Sequence, residues 1–118
     1  MASKGKSWVA KLFSIRYTSG AVCQIRFWSR NTSGRMLEWT VRFLYGADVV
    51  VNKIDVPSNL GAILSLYYTT NDDNLVLYVR LPTYIQILYE VEFCNISVNI
   101  ANTEDSIDVS TLTEIVFS

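Results

Sequence analysis

The residues best equipped for chemistry are carboxylates. Asp72 and Asp73, flanked by Asn71 and Asn74, make the densest run of oxygen donors in the chain. A calcium ion takes about six to eight such ligands. The run lacks the spaced D-x-D-x-D-G pattern of a calcium loop, and an Asn/Asp-rich turn between strands needs no metal. Glu90 and Glu92 are two apart on one strand face, with Cα atoms roughly 6.5–7 Å apart. Such a pair suits the acid and base of a glycosidase, but a solvated outer face accounts for it without catalysis. The same holds for Glu104, Asp105 and Asp108 in a polar loop. The chain has no histidine, which removes His-based triads, His zinc sites and most general-base chemistry near neutrality. There is no Gly-rich phosphate loop, no G-x-S-x-G and no metal-binding cysteine pattern. The reading is therefore a non-enzyme with no metal and no cofactor.

The two cysteines fall on opposite sides of their strands. Cys23 alternates with Ile25 and Phe27 on an apolar face. Cys94 follows Phe93, so strict alternation puts it with Gln86, Glu90 and Glu92. One buried and one outward thiol argue against a disulfide. Two free cysteines are expected.

The aromatics are more informative. The chain carries three Trp, seven Tyr and five Phe, more than one small core requires. Exposed Trp and Tyr stack on sugar rings and also dominate protein–protein contacts. Trp28 shares the outward face of its strand with Gln24 and Arg26, a face suited to binding or to a subunit contact. Tyr78 lies on the outer side of its strand, between Leu77 and Val79, and Trp28 and Tyr84 border turns. Trp28, Tyr78 and Tyr84 are the candidate ligand-binding residues, with packing as the alternative role for each.

The elements that position them read as short strands separated by turns. Ser7–Ile15, Ala21–Ser29, Leu37–Tyr45, Val49–Ile54 and Ala62–Tyr68 are expected strands, the last apolar on both faces and so covered on both. Asn71–Asn74 is a polar turn, Leu75–Arg80 a strand, and Leu81-Pro82-Thr83 an interruption. From Tyr84 to Phe93, Ile85, Ile87, Tyr89, Val91 and Phe93 alternate with Gln86, Glu90 and Glu92, Leu88 being the exception. This strand–turn–strand unit is taken as the centre of the domain. Ser97–Ile100 and Leu112–Phe117 complete the set, with Ala101–Ser110 a loop. No helical period persists. Seven to nine strands at this spacing predict an all-β antiparallel β-sandwich, jelly-roll-like.

The chain has 118 residues, which fits one domain over residues 7–118 after a flexible start or linker at 1–6. Charged residues are only 18%, below the usual quarter, so part of the surface is expected to be hidden in an oligomer or against a larger body. The net charge is −1 with no basic run, which offers no footprint for nucleic acid. Basic residues concentrate in the first half and acidic ones in the second, consistent with pairing between halves. No stretch has the roughly 20 apolar residues of a membrane helix, and MASKGKS does not begin a signal peptide. Asn31-Thr32-Ser33 and Asn95-Ile96-Ser97 match the glycosylation pattern, which matters only in a secreted eukaryotic protein.

Two stretches carry a resemblance. K-S-W-V-A-K-L-F-S-I at Lys6–Ile15, and D-N-L-V-L-Y-V-R-L-P-T-Y followed by an alternating V-E-F within Asp73–Phe93, resemble the C-terminal head domains of bacteriophage tail fibres and tail spikes. Leu77-Tyr78-Val79-Arg80 and Pro82-Thr83-Tyr84 match that family's strand and its proline turn before an aromatic. The resemblance implies a β-sandwich that assembles as a homotrimer at a fibre tip in the virion and binds a host surface glycan or protein. It brings no binding-residue motif, so the candidate residues rest on strand position alone. A fibre-capping trimerisation domain, a carbohydrate-binding module of a secreted enzyme and a glycan hydrolase or esterase are the competing readings.

Overall fold

The computed structural model describes residues 8–16, 20–30, 36–45, 49–56, 64–71, 74–81, 87–96, 98–104 and 107–116. These form nine strands: β1 Trp8–Arg16, β2 Ala21–Arg30, β3 Met36–Tyr45, β4 Val49–Ile54, β5 Ser65–Asn71, β6 Asn74–Leu81, β7 Ile87–Cys94, β8 Val98–Glu104 and β9 Thr113–Ile115. A short 3-10 turn, Val109–Thr111, precedes β9. The all-β expectation holds. The segment 1–6, assigned to a flexible start, lies outside the described residues.

The strands make two antiparallel sheets, one ordered β8-β1-β6-β5-β9 and the other β4-β3-β2-β7. Strict alternation explains the second sheet. Cys23, Ile25 and Phe27 of β2, with Trp39, Val41 and Phe43 of β3, are buried, while the residues between them face outward. From the other sheet Leu75, Leu77, Val79 and Leu81 of β6 meet them, with Leu66 of β5. Phe27 and Trp39, opposite each other in the β2–β3 register, stack with ring centres 5.4 Å apart. Tyr89 packs on Phe27, its neighbour in the same sheet, at 6.0 Å, and across the sandwich on Phe13 at 5.9 Å. Burying these side chains supplies the main driving force for folding, at about 1.5–3 kcal/mol for each large one.

The unit around Leu81-Pro82-Thr83 is not a hairpin. β6 pairs with β1 and β5, whereas β7 pairs with β2 in the other sheet. The chain changes sheets between Leu81 and Ile87, and the hairpin of this region is β5–β6, with Asn71 opposite Asn74. β1 with β8 and β2 with β7 pair in nested fashion, while β2, β3 and β4 run as a meander.

Two breaks in register shape the rest. In β1 the pairing shifts between Lys11 and Phe13, against both β6 and β8. The extra residue lets Ala10, Leu12, Phe13 and Ile15 all be buried, which explains the mixed alternation of this segment. Leu12 has no partner in either ladder. The Tyr89 hydroxyl reaches across the sandwich to its carbonyl oxygen at 2.8 Å. That hydroxyl also lies 2.7 Å from Asn102 Oδ1, on a residue held at φ 50°. In β7 the pairing shifts between Gln24 and Ile25: Ile25 faces Val91, but Gln24 faces Phe93. Glu92 is the extra residue. After it, inside and outside are exchanged.

The two sheets treat their outer faces differently. On the five-stranded sheet Tyr67, Val76 and Tyr78 are buried beneath Ile107, Val109 and Leu112. This covers β5 on both sides by its own fold, as its apolar pattern predicts. On the four-stranded sheet no described segment covers the outer face.

Candidate functional site

The bare face of β4-β3-β2-β7 is the candidate site. Its middle is a ladder of polar side chains. Arg42 on β3 donates through Nε and Nη2 to Gln24 Oε1 on β2, at 2.9 and 2.6 Å. Gln24 Nε2 donates to Glu92 Oε1 on β7 at 3.1 Å. Glu92 Oε2 lies 3.2 Å from Arg26 Nη2, and Arg26 Nη1 donates to Glu38 Oε1 at 2.9 Å. Five side chains from three strands are thus fixed to one another. Cross-strand neighbours of opposite charge on one sheet face stabilise by roughly 0.2–1 kcal/mol each, so the ladder serves more to set side-chain directions than to stabilise the fold. The Arg26–Glu92 pair joins the basic first half to the acidic second half.

Apolar groups flank this ladder at both ends. Trp28, half-buried, stands between Glu38 and Leu88 in the sheet register. Met36 and Leu88 beside it are 67% and 50% exposed, and at the other end Val50 and Phe93 are 51% and 47% exposed. Four of the six exposed large hydrophobics among the described residues therefore share one face. The face carries guanidinium, carboxylate and carboxamide groups in fixed positions beside an indole and a phenyl ring. Such a surface can stack on apolar faces and hydrogen-bond hydroxyls or amides.

The three candidate residues have separate fates. Trp28 is on this face. Tyr78 is on the outer side of its strand as its position indicates, but that side is the covered one. At 6% exposure it packs in the small outer cluster and is not available to a ligand. Tyr84 lies outside the described residues, as do Asp72 and Asp73. Glu92 accepts from Gln24 and pairs with Arg26. No group of three or more potential metal ligands occurs among the described residues. Asn95, in a glycosylation pattern, instead uses its amide: Nδ2 donates to the Gly20 carbonyl, and Oδ1 accepts from the Val22 N–H, both at 2.9 Å.

Phe93 and Cys94 exchange sides relative to strict alternation, because of the extra residue at Glu92. Phe93 joins the outer face and Cys94 turns inward, opposite Cys23. Nothing in the run of residue types marks such a bulge. Leu88 did carry a signal, since it is the apolar residue out of phase on the polar side of β7. Met36 and Val50 could be found only once the strands were placed side by side.

Two clefts line the open sides of the sandwich. One, of ≈ 330 Å³, lies between the edges of β7 and β8 and is lined by Ile87, Leu88, Tyr89, Val91, Ile100 and Asn102. Burial of the Tyr89 hydroxyl pushes its pKa up to about 12, partly opposed by the contact with Asn102. The other, of ≈ 280 Å³, lies between β4 and β9, where Lys53 Nζ donates to the Val116 carbonyl. The first is lined mainly by apolar groups, while Lys53, Tyr68, Thr113 and Glu114 line the second.

No protein-family model, curated protein or solved structure matches the chain. No helix among the described residues is long and apolar enough to cross a membrane.

Proposed function

We propose that the protein is a non-enzymatic recognition domain whose ligand surface is the outer face of β4-β3-β2-β7. The observation that carries this reading is the asymmetry between the sheets: one outer face is closed by residues 107–112, and the other exposes Trp28, Leu88 and Phe93 around an ordered polar ladder. With the resemblance of Lys6–Ile15 and Asp73–Phe93 to phage fibre heads, the reading becomes a receptor-binding head at a fibre or spike tip that takes a host surface glycan or protein. Trp28 supplies a stacking platform, and Arg26, Arg42 and Glu38 offer directed hydrogen bonds. Three such faces on one trimer turn weak single contacts into strong attachment through effective concentration.

The test is binding of the whole protein to an array of bacterial surface glycans, and adsorption to the cells that respond. Trp28→Ala and Phe93→Ala are expected to weaken binding about 10-fold or more each, while far-UV circular dichroism and melting stay near wild type. A double variant that folds and binds as well as wild type removes this face from the reading.

A second reading has its own support. Four exposed apolar side chains on one face, with only 18% charged residues overall, also suit burial against copies of the chain in a fibre cap that binds no receptor.

A further inference from the structure

We propose that Cys23 and Cys94 are a redox site: an oxidant of the low-molecular-weight disulfide class joins them into a reversible cross-strand disulfide that locks β7 to β2. Both cysteines are free, Cys23 buried and Cys94 half-buried. The shift at Glu92 sets them directly opposite each other. The kind of opposition follows from their neighbours. Asn95 N–H donates to the Val22 carbonyl at 3.1 Å, one residue beyond the pair. In an antiparallel ladder bonded pairs alternate with non-bonded ones, so Cys23 and Cys94 form a non-bonded pair. There the Cα atoms are about 4.5 Å apart and the side chains are at their closest. That separation lies within the roughly 4.4–6.8 Å span of disulfides. The two side chains are near enough that Cys94 raises the pKa of Cys23. Asn95 clamps this end of β2 through Gly20 and Val22, so the pair is held in register.

The two thiols divide the work. Burial, followed by the nearness of Cys94, pushes the Cys23 thiol up, so it remains protonated and shielded. Cys94 is half-buried where Cys23 is buried, and is the point of entry. Its thiolate attacks one sulfur of the small disulfide, forming a mixed disulfide and releasing one thiolate. Cys23 then attacks Cys94 Sγ, handing its proton directly to the one small thiolate that leaves Cys94. The Cys94–small-thiol bond breaks as the Cys23–Cys94 bond forms. In sum two protein thiols are oxidised to one disulfide, and one small disulfide is reduced to two thiols.

The experiment uses the folded full chain and glutathione disulfide. Intact mass should fall by two hydrogens, and a peptide map should join Cys23 to Cys94. Dithiothreitol should restore both. The oxidised form should melt roughly 5–15 °C higher, because a long loop is closed. Cys94→Ser should leave Cys23 unmodified. Cys23→Ser should stop at a stable glutathione adduct on Cys94, and if that variant does not fold, the wild-type mass and map decide. A wild-type chain that keeps both thiols free, accumulates the glutathione adduct, or links Cys94 between two molecules overturns the proposal.

Discussion

At the scale of single residues, Trp39 and Tyr89 hold opposite positions on the question of buried polar groups. Trp39 is 1% exposed, and its Nε1–H finds no acceptor among the described residues. A buried donor left without a partner costs about 1–3 kcal/mol, while the ring's contact with Phe27 favours an aromatic there. Trp39→Phe removes the donor and keeps the stacking, so it should cost less than about 2 kcal/mol, against about 3–5 kcal/mol for Trp39→Ala. Urea midpoints with unchanged slopes check this. Tyr89 is the satisfied case, since its hydroxyl meets the carbonyl of Leu12, the residue that the bulge in β1 leaves without a register partner. Tyr89→Phe should destabilise by about 1–2 kcal/mol. Its pH dependence has a definite sign. The proton is held more tightly in the fold, about 12 against 10.0, so this contribution is complete below pH 10 and is lost as pH rises through about 12. Melting temperatures across that window should fall less steeply in Tyr89→Phe than in wild type.

At the scale of elements, the C-terminal segment decides which sheet face is closed, and one aspartate organises it. Asp108 caps the turn Val109–Thr111: its carboxylate accepts from the Ser110 N–H at 3.0 Å, which lowers its pKa. The cap therefore acts fully above the ordinary carboxylate pKa and is lost as pH falls through the lowered one. Asp108→Ala should speed hydrogen exchange at Ser110 at neutral pH. Asp108→Asn should not, and should also remove the acid sensitivity of that amide. Much of this scale was legible beforehand. The strands β1–β4 are readable in the sequence to within a residue or so at each end, because Ile25, Phe27, Trp39 and Val41 repeat at period two and turns separate the runs. β8 was not foreseen to Glu104, because ANTE is polar and edge strands need little burial. The pairing of β7 with β2 was not legible either, since a proline turn between two apolar runs suggests a hairpin whether or not the chain changes sheets. The bulge at Glu92 is invisible for a similar reason: one extra residue alters partners without altering composition. The candidate site was legible only through Trp28, Arg26 and the out-of-phase Leu88. Tyr78 misled because outward and exposed are different properties.

At the scale of the whole molecule, the bare face bears on oligomeric state. The two readings of that face separate in sedimentation. Leu88→Glu with Phe93→Glu places two carboxylates on it. If copies of the chain meet there, the assembly should fall to monomers, since buried unpaired charges cost several kcal/mol. If a receptor meets it, the mass should stay that of the wild-type assembly while glycan binding is lost. A trimer joined elsewhere would hold three such faces outward, as the attachment reading requires.

The position of β1 has a consequence in time. It is made before the other eight described strands, yet its partners are β6 and β8, and its residue Ala10 pairs with Glu104. At about 5–20 residues per second, roughly 5–20 s pass between the emergence of Ala10 and that of Glu104. The β2–β3–β4 meander, by contrast, needs only neighbouring sequence. On the ribosome the four-stranded sheet can begin early, while the apolar side of β1 waits for most of the chain. That interval is when the nascent protein is most open to aggregation and to a chaperone.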